Sequence, residues 1–336
     1  MRLETRRRWI IGVVCALTCI GRASVAGSPE TTQERSLRAI RLEQNPIIRP
    51  EMLRGSDGKN INGPSLIRVP AWTPDRLGNY YLYFAHHNGK YIRMAYADSL
   101  QGPWKVYPGG VMSLKDAAGI SGHIASPDVL VDEERKEFRL YYHGPTKQGQ
   151  QSFVALSPDG LKFRSVSDEP LGTFYFRVFR WHETWYAMAK GGQLYRSPDG
   201  LKDFVKGPNP FPGSEKRKND NAPGARHVAL HRVGETLWVY YSNIGDKPER
   251  ILRRNLQLSK DWTDWTCSAP EEVLRPELQY EGAELPLTAS SSGAASGREN
   301  ALRDPAIFVD EDRRVYLLYS VAGESGIGIA ELREAQ

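Results

Sequence analysis

The sequence predicts an all-β protein folded as a five-bladed β-propeller. Three observations support this prediction: an aromatic strand recurs five times, a turn precedes every copy, and a second kind of turn recurs four times. One repeat is too small to bury both faces of its own sheet, so we expect the copies to stack around an axis. A β-sandwich is the alternative, but it does not require the same hairpin five times.

Each repeat contains a strand rich in aromatic and β-branched residues, a composition typical of packed strands. The five strands are residues 80–84, 138–142, 184–188, 237–241 and 315–319. An acidic or glycine-containing turn lies before each of them, and another apolar strand lies before that turn. Every repeat therefore begins as a hairpin.

The later part of the repeats also recurs. The sequence Ser-Pro-Asp-Gly occurs at 157–160 and at 197–200, and related turns occur at 97–100 and 259–262. Asp and Gly favour such turns through local backbone bonding and tolerance of positive φ. We expect the propeller to cover residues 60–336, with no second domain.

Two other segments have positions suggested by the repeats. The N-terminal segment 27–59 is expected to close the ring, because residues 45–50 and those before them are placed to lend a strand to the last blade. The stretch 289–297 is rich in Ser, Gly and Ala, which predicts a flexible loop between blades four and five.

Residues 1–26 have the pattern of a secretory signal peptide. Basic residues precede an apolar run at 9–20, and Ser24-Val25-Ala26 provides a small-x-small cleavage pattern. The apolar run is too short to span a bilayer well. We therefore expect a secreted or periplasmic monomer whose mature form has no membrane segment.

The charge and cysteine content of the chain limit which binding partners and disulfides we expect. The chain has 45 Lys and Arg against 40 Asp and Glu, and loss of residues 1–26 leaves 40 against 39. A nearly neutral mature chain gives no reason to expect a nucleic-acid partner. Two of the three cysteines leave with the same segment, so Cys267 has no intrachain partner for a disulfide.

Polar residues recur where each innermost strand begins. In a propeller these strands line the central channel, so their first residues converge on one funnel. The candidates are Asn62, Asp128, Arg177, Arg226, His227, Arg303 and Asp304. Packing alone does not readily explain polar residues at the same place in every repeat, although polar strand ends are also common.

Short motifs at these strand starts carry a family resemblance. Arg303-Asp304-Pro305, followed by an apolar strand and an acidic turn, resembles the Asp-Pro blades of the five-bladed glycoside hydrolases of family 43 and their relatives of family 32. Ser126-Pro127-Asp128 looks like the Ala-Pro-Asp strand start of family 43, and Tyr280-Glu281-Gly282 looks like its Glu-Gly element. The resemblance covers about residues 60 to 333. It implies a glycosidase acting on a poly- or oligosaccharide that contains a furanoside or an acidic sugar.

The resemblance also implies carboxylates in defined roles. Such families use a base or nucleophile, an aspartate that tunes pKa or holds substrate, and a glutamate acid, because a glycosidic oxygen must be protonated while water or a carboxylate attacks. Asp304 matches the tuning or substrate-holding aspartate. Glu281 matches the acid, with Glu284 as its rival, and the family implies inversion by direct displacement.

The first blade departs from the family pattern. It has Gly63-Pro64 where the family carries Asp-Pro, so the expected base is missing. Three explanations stay open: Asp128 supplies the base from blade two, the protein is a divergent hydrolase, or it has lost hydrolysis and only binds carbohydrate.

Histidines and arginines complete the predicted lining. His86, His87 and His123 lie near the strand ends of blades one and two, where imidazole can move protons, bond a sugar hydroxyl or serve structure alone. Arg177, Arg226 and Arg303 suit an acidic sugar through paired hydrogen bonds, or they neutralise the carboxylates. No spacing is typical of zinc. A calcium ion held by carboxylates is compatible with the channel, but no motif indicates one.

Overall fold

The structure, a computed structural model, describes residues 37–213 and 224–334, so the predicted signal peptide at 1–26 lies outside the described residues. Five antiparallel sheets follow one another along the chain, which confirms the predicted fold class. The described ranges contain no α-helix, and therefore none long and apolar enough to cross a bilayer.

The strands run in chain order from the inside of each blade to its outside. The first strand, β1, covers Leu37–Arg41 and precedes the blades. Blade one consists of β2 (Asn62–Arg68), β3 (Tyr80–Ala85), β4 (Tyr91–Ala97), β5 (Lys105–Val106) and β6 (Met112–Ser113). Blade two consists of β7 (Ala125–Asp132), β8 (Glu137–Thr146), β9 (Gly149–Ser157), β10 (Arg164–Ser165) and β11 (Gly172–Thr173).

The remaining blades have the same plan. Blade three consists of β12 (Arg177–Trp181), β13 (Thr184–Met188), β14 (Leu194–Ser197) and β15 (Val205–Lys206). Blade four consists of β16 (Gly224–Val233), β17 (Thr236–Ile244), β18 (Ile251–Gln257) and β19 (Glu271–Leu274). Blade five consists of β20 (Arg303–Val309), β21 (Val315–Ser320) and β22 (Ile327–Glu334).

The hydrophobic core lies between the blades. Each neighbouring pair of blades shares one cluster of buried side chains, including the pair formed by the first and last blades. In that closing cluster, Leu66 of β2 and Phe308 of β20 are both buried. Every sheet is apolar on both faces, and a closed ring is the arrangement that buries all of them.

The two Ser-Pro-Asp-Gly turns join adjacent blades. In both copies, 157–160 and 197–200, the aspartate carboxylate accepts the backbone N–H two residues later, at 2.9 and 2.8 Å. The glycines have φ values of 73° and 75°. The preceding blade contributes a tyrosine, Tyr83 or Tyr141, whose hydroxyl donates to the glycine carbonyl at 2.9 Å. The repeated turn is thus an inter-blade contact.

The ring is closed by the N-terminal strand and a buried ion pair. Strand β1 pairs antiparallel with β22 and becomes the outermost strand of blade five. Arg41 donates through Nε and Nη2 to both carboxylate oxygens of Glu281, at 2.7 and 2.9 Å. Glu281 is fully buried and also accepts the Tyr319 hydroxyl and the backbone N–H groups of Glu277 and Leu278. We call Arg41, Glu281 and their hydrogen-bond partners the closing clamp. It connects β1 to the segment that follows blade four and to β21.

We expect Arg41→Ala to lower the free energy of unfolding by about 3 kcal/mol, because it leaves the buried Glu281 carboxylate without its ion-pair partner. Urea unfolding measures the change. Arg38→Ala is the matched control, since Arg38 is exposed on the same strand, and should cost less than about 0.5 kcal/mol. Equal losses in the two variants would contradict a role for the clamp.

Candidate functional site

The innermost strands bend where they begin. Four of them shift register at the same place, between Asn62 and Ser65, Ala125 and Asp128, Ala225 and Val228, and Arg303 and Ala306. A bulge re-aims side chains and increases local twist. The corresponding residues of the five blades are Gly63, Ser126, Tyr175, Arg226 and Asp304, and all but Arg226 have φ between 48° and 65°. These strand starts form the floor of the funnel.

Asp304 and His227 form a buried pair on this floor. His227 Nδ1 contacts Asp304 Oδ1, and the Ser320 hydroxyl donates to Asp304 Oδ2 at 3.2 Å. Burial, and then the cations Arg226 and Lys190, lower the pKa of His227 well below its usual value of 6.5. In the tautomer that carries its proton on Nδ1, the neutral imidazole presents this proton to the carboxylate and keeps Nε2 as a proton acceptor.

A wall of rings stands beside this pair. The Tyr175 ring centroid lies 3.6 Å from that of His227 and 4.3 Å from that of His143. Phe174 and His123 extend the wall. Burial raises the pKa of Tyr175 to about 12 and lowers the pKa of His143 well below its usual value, so the phenol stays protonated and His143 stays neutral. Ring faces combined with polar edges suit a ligand that is partly apolar and partly hydrogen-bonding.

Arg303 is fully buried among three glutamates. Its guanidinium contacts Glu249 at 3.0 Å, Glu324 at 3.6 Å and Glu299. Arg226 also donates to Glu249, through Nε at 2.8 Å. Both arginines therefore neutralise carboxylates of the protein. The expectation that they grip an acidic sugar is not supported by these contacts.

Glu324, one of the three glutamates around Arg303, also contacts a second set of polar side chains in the funnel. Asn60 Nδ2 donates to its carboxylate, and His87 Nδ1 lies 3.7 Å from Oε1. Burial opposes ionisation, but the contacts with His87, Arg303 and Asn60 outweigh it and lower the pKa of Glu324. Asn62 donates to Asn60 Oδ1 at 3.2 Å, and its own buried Oδ1 has no hydrogen-bond donor among the described residues.

The loop 289–297 packs against the same cluster. Arg226 donates to the carbonyls of Ser291 and Gly293, and the Ala295 N–H donates to Glu324 at 3.3 Å. The sequence predicted a flexible loop here, whereas the structure attaches it to two buried charged side chains. The loop forms part of the funnel wall.

Two of the predicted carboxylates lie away from the funnel. Glu281 sits in the closing clamp with Arg41, where every contact of its carboxylate is structural. Glu284 is exposed and accepts from Arg298 at 3.2 Å. The structure does not bring either residue to Asp304, so neither is placed to act as the acid. The Glu-Gly motif resembles the family in local sequence, but the residues around Glu281 in the fold are those of the closing clamp.

Asp128 lies on the channel side, held by Arg177. Its carboxylate accepts from Arg177 Nη1 at 3.3 Å and from a backbone N–H of β12 at 3.0 Å. Arg177 also donates to the carbonyls of Pro127, Val228 and Pro64, at 2.6, 3.2 and 3.4 Å. The guanidinium thus joins four blades on the axis, and it is engaged by the protein. Burial raises the pKa of Asp128. Among the described residues, the side-chain partners of Asp128 differ from those of Asp304.

The other predicted histidines have local partners. His86 Nδ1 accepts the Asn88 backbone N–H at 3.0 Å, within a turn. His123 Nε2 lies 3.2 Å from Gln150 Oε1. Burial lowers the pKa of both imidazoles. His87, by contrast, faces Glu324. Within the two described ranges, no three His, Cys, Asp or Glu side chains are grouped so that they could hold a metal ion.

Several residues of the site carried no signal in the sequence analysis. These are Asn60, His143, Tyr175, Glu249, Glu299 and Glu324. Tyr175 was detectable, because it occupies the repeat position of Ser126 and Asp304 in blade three. Glu249 and Glu324 lie in turns between strands, where acidic residues are common, and only the closed ring shows what they contact.

The structure explains why blade one has no carboxylate at its strand start. Gly63 has φ of 58°, and a Cβ built on it would lie 3.2 Å from Ser126 Cα and 3.3 Å from Ser126 Oγ. A side chain here would combine an unfavourable backbone with crowding from blade two. The position expected to supply the base is thus filled by the close approach of two strands.

We expect Gly63→Ala to destabilise the protein by about 1 kcal/mol more than Gly234→Ala does. Gly234 is a matched control because its φ is 57° and nothing lies within 4 Å of its ideal Cβ. The difference between the two variants in urea unfolding isolates the crowding against Ser126. Equal destabilisation would show that the backbone conformation alone selects glycine.

Comparison with known proteins gives one close relative and many distant structural neighbours. No protein-family model matches the sequence. "Uncharacterized protein R118" of Acanthamoeba polyphaga mimivirus is 37% identical over 323 residues, which cover 88% of this chain and 90% of that protein.

Solved structures similar to this one share its fold at low identity. An α-L-arabinofuranosidase from Lactobacillus brevis has a TM-score of 0.55 and 14% identity, covering 85% of this chain and 92% of that one. A GH43 β-xylosidase/α-arabinofuranosidase from a compost metagenome, in complex with xylotriose, has a TM-score of 0.56 and 13% identity, covering 83% and 92%. The catalytic domain of a Coprinopsis cinerea GH62 α-L-arabinofuranosidase has a TM-score of 0.54 and 15% identity, covering 89% and 98%. The fold resemblance to family 43 is confirmed.

Proposed function

Because the chain belongs to the same family as the mimivirus protein and has the glycoside hydrolase fold of family 43, we propose that it hydrolyses glycosidic bonds in the funnel. The observation that carries this proposal is the buried contact between Asp304 and His227 on the funnel floor. It places a proton acceptor and its orienting carboxylate where the five innermost strands converge.

In the proposed reaction, His227 is the base and Asp304 orients it. The imidazole Nε2 takes a proton from water, the water oxygen attacks the anomeric carbon, and the Asp304 carboxylate stabilises the imidazolium that forms. Direct attack by water inverts the anomeric configuration. The glycosidic oxygen leaves with a proton supplied by a second group. This scheme replaces the two-carboxylate mechanism expected from the sequence, because Glu281 and Asp128 are engaged elsewhere.

The charges of the funnel favour a neutral sugar. Three glutamates, Glu249, Glu299 and Glu324, surround two arginines, and each arginine already bonds to carboxylates of the protein. A uronate or sulfate would add negative charge beside these three glutamates. The names of all three structural neighbours described above refer to the neutral pentoses arabinose or xylose, and we propose a substrate of that class.

We also propose that the protein is exported. Support comes from the basic, apolar and small-residue pattern of residues 1–26.

The proposal is tested by sugar release from neutral arabinan, xylan and their oligosaccharides. We expect Asp304→Asn and His227→Asn each to lower kcat by at least about 100-fold, because both remove the positioned base. His182→Asn is the matched control, since His182 lies in an exposed turn with positive φ, which asparagine tolerates. Undiminished release by Asp304→Asn would remove this pair from the chemistry.

The pH dependence of kcat/KM gives an independent check. His227 must be neutral to accept a proton, and its lowered pKa keeps it neutral until the pH falls well below 6.5. On the acidic side the rate should therefore hold through pH 6.5 and decline only at lower pH. If half the activity were already lost when the pH is lowered to 6.5, the assignment of His227 as the base would be contradicted.

A carbohydrate-binding propeller without turnover is the second candidate. Its support is Gly63, where the family resemblance implies the base and where a Cβ would lie 3.2 Å from Ser126 Cα. Calorimetric binding of a neutral oligosaccharide, with no sugar released by the wild type, would favour this candidate. Release that depends on Asp304 would exclude it.

A further inference from the structure

The funnel contains a second carboxylate–imidazole pair that the proposed base does not use. We propose that His87 is the general acid of the reaction and that Glu324 is its positioning residue. This inference rests on the proposed hydrolase function. The sequence left the role of His87 open between moving protons, contacting substrate and serving structure, and Glu324 carried no signal.

His87 is held in place from two sides. Its backbone N–H donates to Asn60 Oδ1 at 2.8 Å, and its Nδ1 faces Glu324 Oε1 at 3.7 Å. Nε2 is then the atom that can present a proton to a ligand. The His87 side chain is 22% exposed, whereas that of His227 is 9% exposed. A ligand in the funnel can therefore reach His87 more readily.

Glu324 is itself fixed, so it can orient the imidazole. One carboxylate oxygen accepts from Asn60 and from the Ala295 N–H, and the other faces Arg303 and His87. The contacts with His87, Arg303 and Asn60 keep this carboxylate ionised despite its burial.

The two carboxylate–imidazole pairs are linked through the start of β20. Arg303, which contacts Glu324, is the residue directly before Asp304 in β20. Asp304 contacts His227. Two consecutive residues of β20 thus contact the two pairs, one residue each.

The proposed step balances without any further reagent. The bond between the anomeric carbon and the glycosidic oxygen breaks, and its electron pair stays on that oxygen, which takes the proton from His87 Nε2. The water oxygen bonds to the anomeric carbon as its proton passes to His227 Nε2. The products are the free sugar and the alcohol. His227 then releases a proton to solvent and His87 regains one.

The experiment compares two substrates that differ in how much they need an acid. A 4-nitrophenyl glycoside has a leaving group that departs without protonation, whereas a trisaccharide of the same sugar, xylose or arabinose, does not. For His87→Asn we expect kcat/KM to fall at least about 100-fold on the trisaccharide and less than about 5-fold on the nitrophenyl glycoside. His87→Gln is a second variant in case the first folds poorly, and Glu324→Gln should show the same selective loss more weakly.

Other outcomes separate the possible failures. An equal fall in kcat/KM on both substrates would make His87 a structural residue and overturn this inference. Wild-type kcat/KM on both substrates would also overturn it, because His87 would then have no part in the reaction. Asp304→Asn should lower kcat/KM on both substrates, because hydrolysis of each of them needs an activated water. If the wild type cleaves neither substrate, both the proposed function and this inference fail together.

Discussion

Closure of the ring is the constraint on which the rest of the molecule depends. Five sheets that are apolar on both faces can bury those faces only if the last blade meets the first. Strand β1 completes the last blade, and the Arg41–Glu281 pair becomes fully hydrogen-bonded only when it does so. A buried carboxylate without its partner is costly, so the open ring is disfavoured beyond the loss of apolar contacts. Closure then fixes where the five innermost strands begin.

Within the closed ring, Arg177 divides the axis into two spaces. The bulged strand starts leave carbonyl groups that point toward the centre, where no neighbouring strand can pair with them. One guanidinium satisfies carbonyls from blades one, two and four, and it also neutralises Asp128. Five donors in a planar fork suit this task better than the single ammonium of lysine. The strand starts face the funnel on one side of this guanidinium. Asp128, which is paired with Arg177, faces the central channel on the other side.

The fold was predictable from the sequence because its signals are local. Each blade carries its own hairpin and turn, so five copies reinforce one conclusion, and Asp304 could be placed at a strand start by comparison with the other repeats. The site was less predictable because its contacts join distant residues. Glu281 lies 240 positions from Arg41, and no local pattern distinguishes a glutamate that closes a ring from one that faces a sugar. Glu324 meets His87 only after closure.

The buried charges become intelligible when the two imidazoles are considered together. Burying Arg303 with Glu249 and Glu324 removes three charges from water, a cost that hydrophobic packing could have avoided. The arrangement keeps Glu324 ionised beside His87, while burial and the nearby cations keep His227 neutral against Asp304. The two imidazoles thus have different surroundings, since one faces an ionised carboxylate and the other is held neutral. The proposed reaction needs such a difference, because one group must give a proton while the other accepts one.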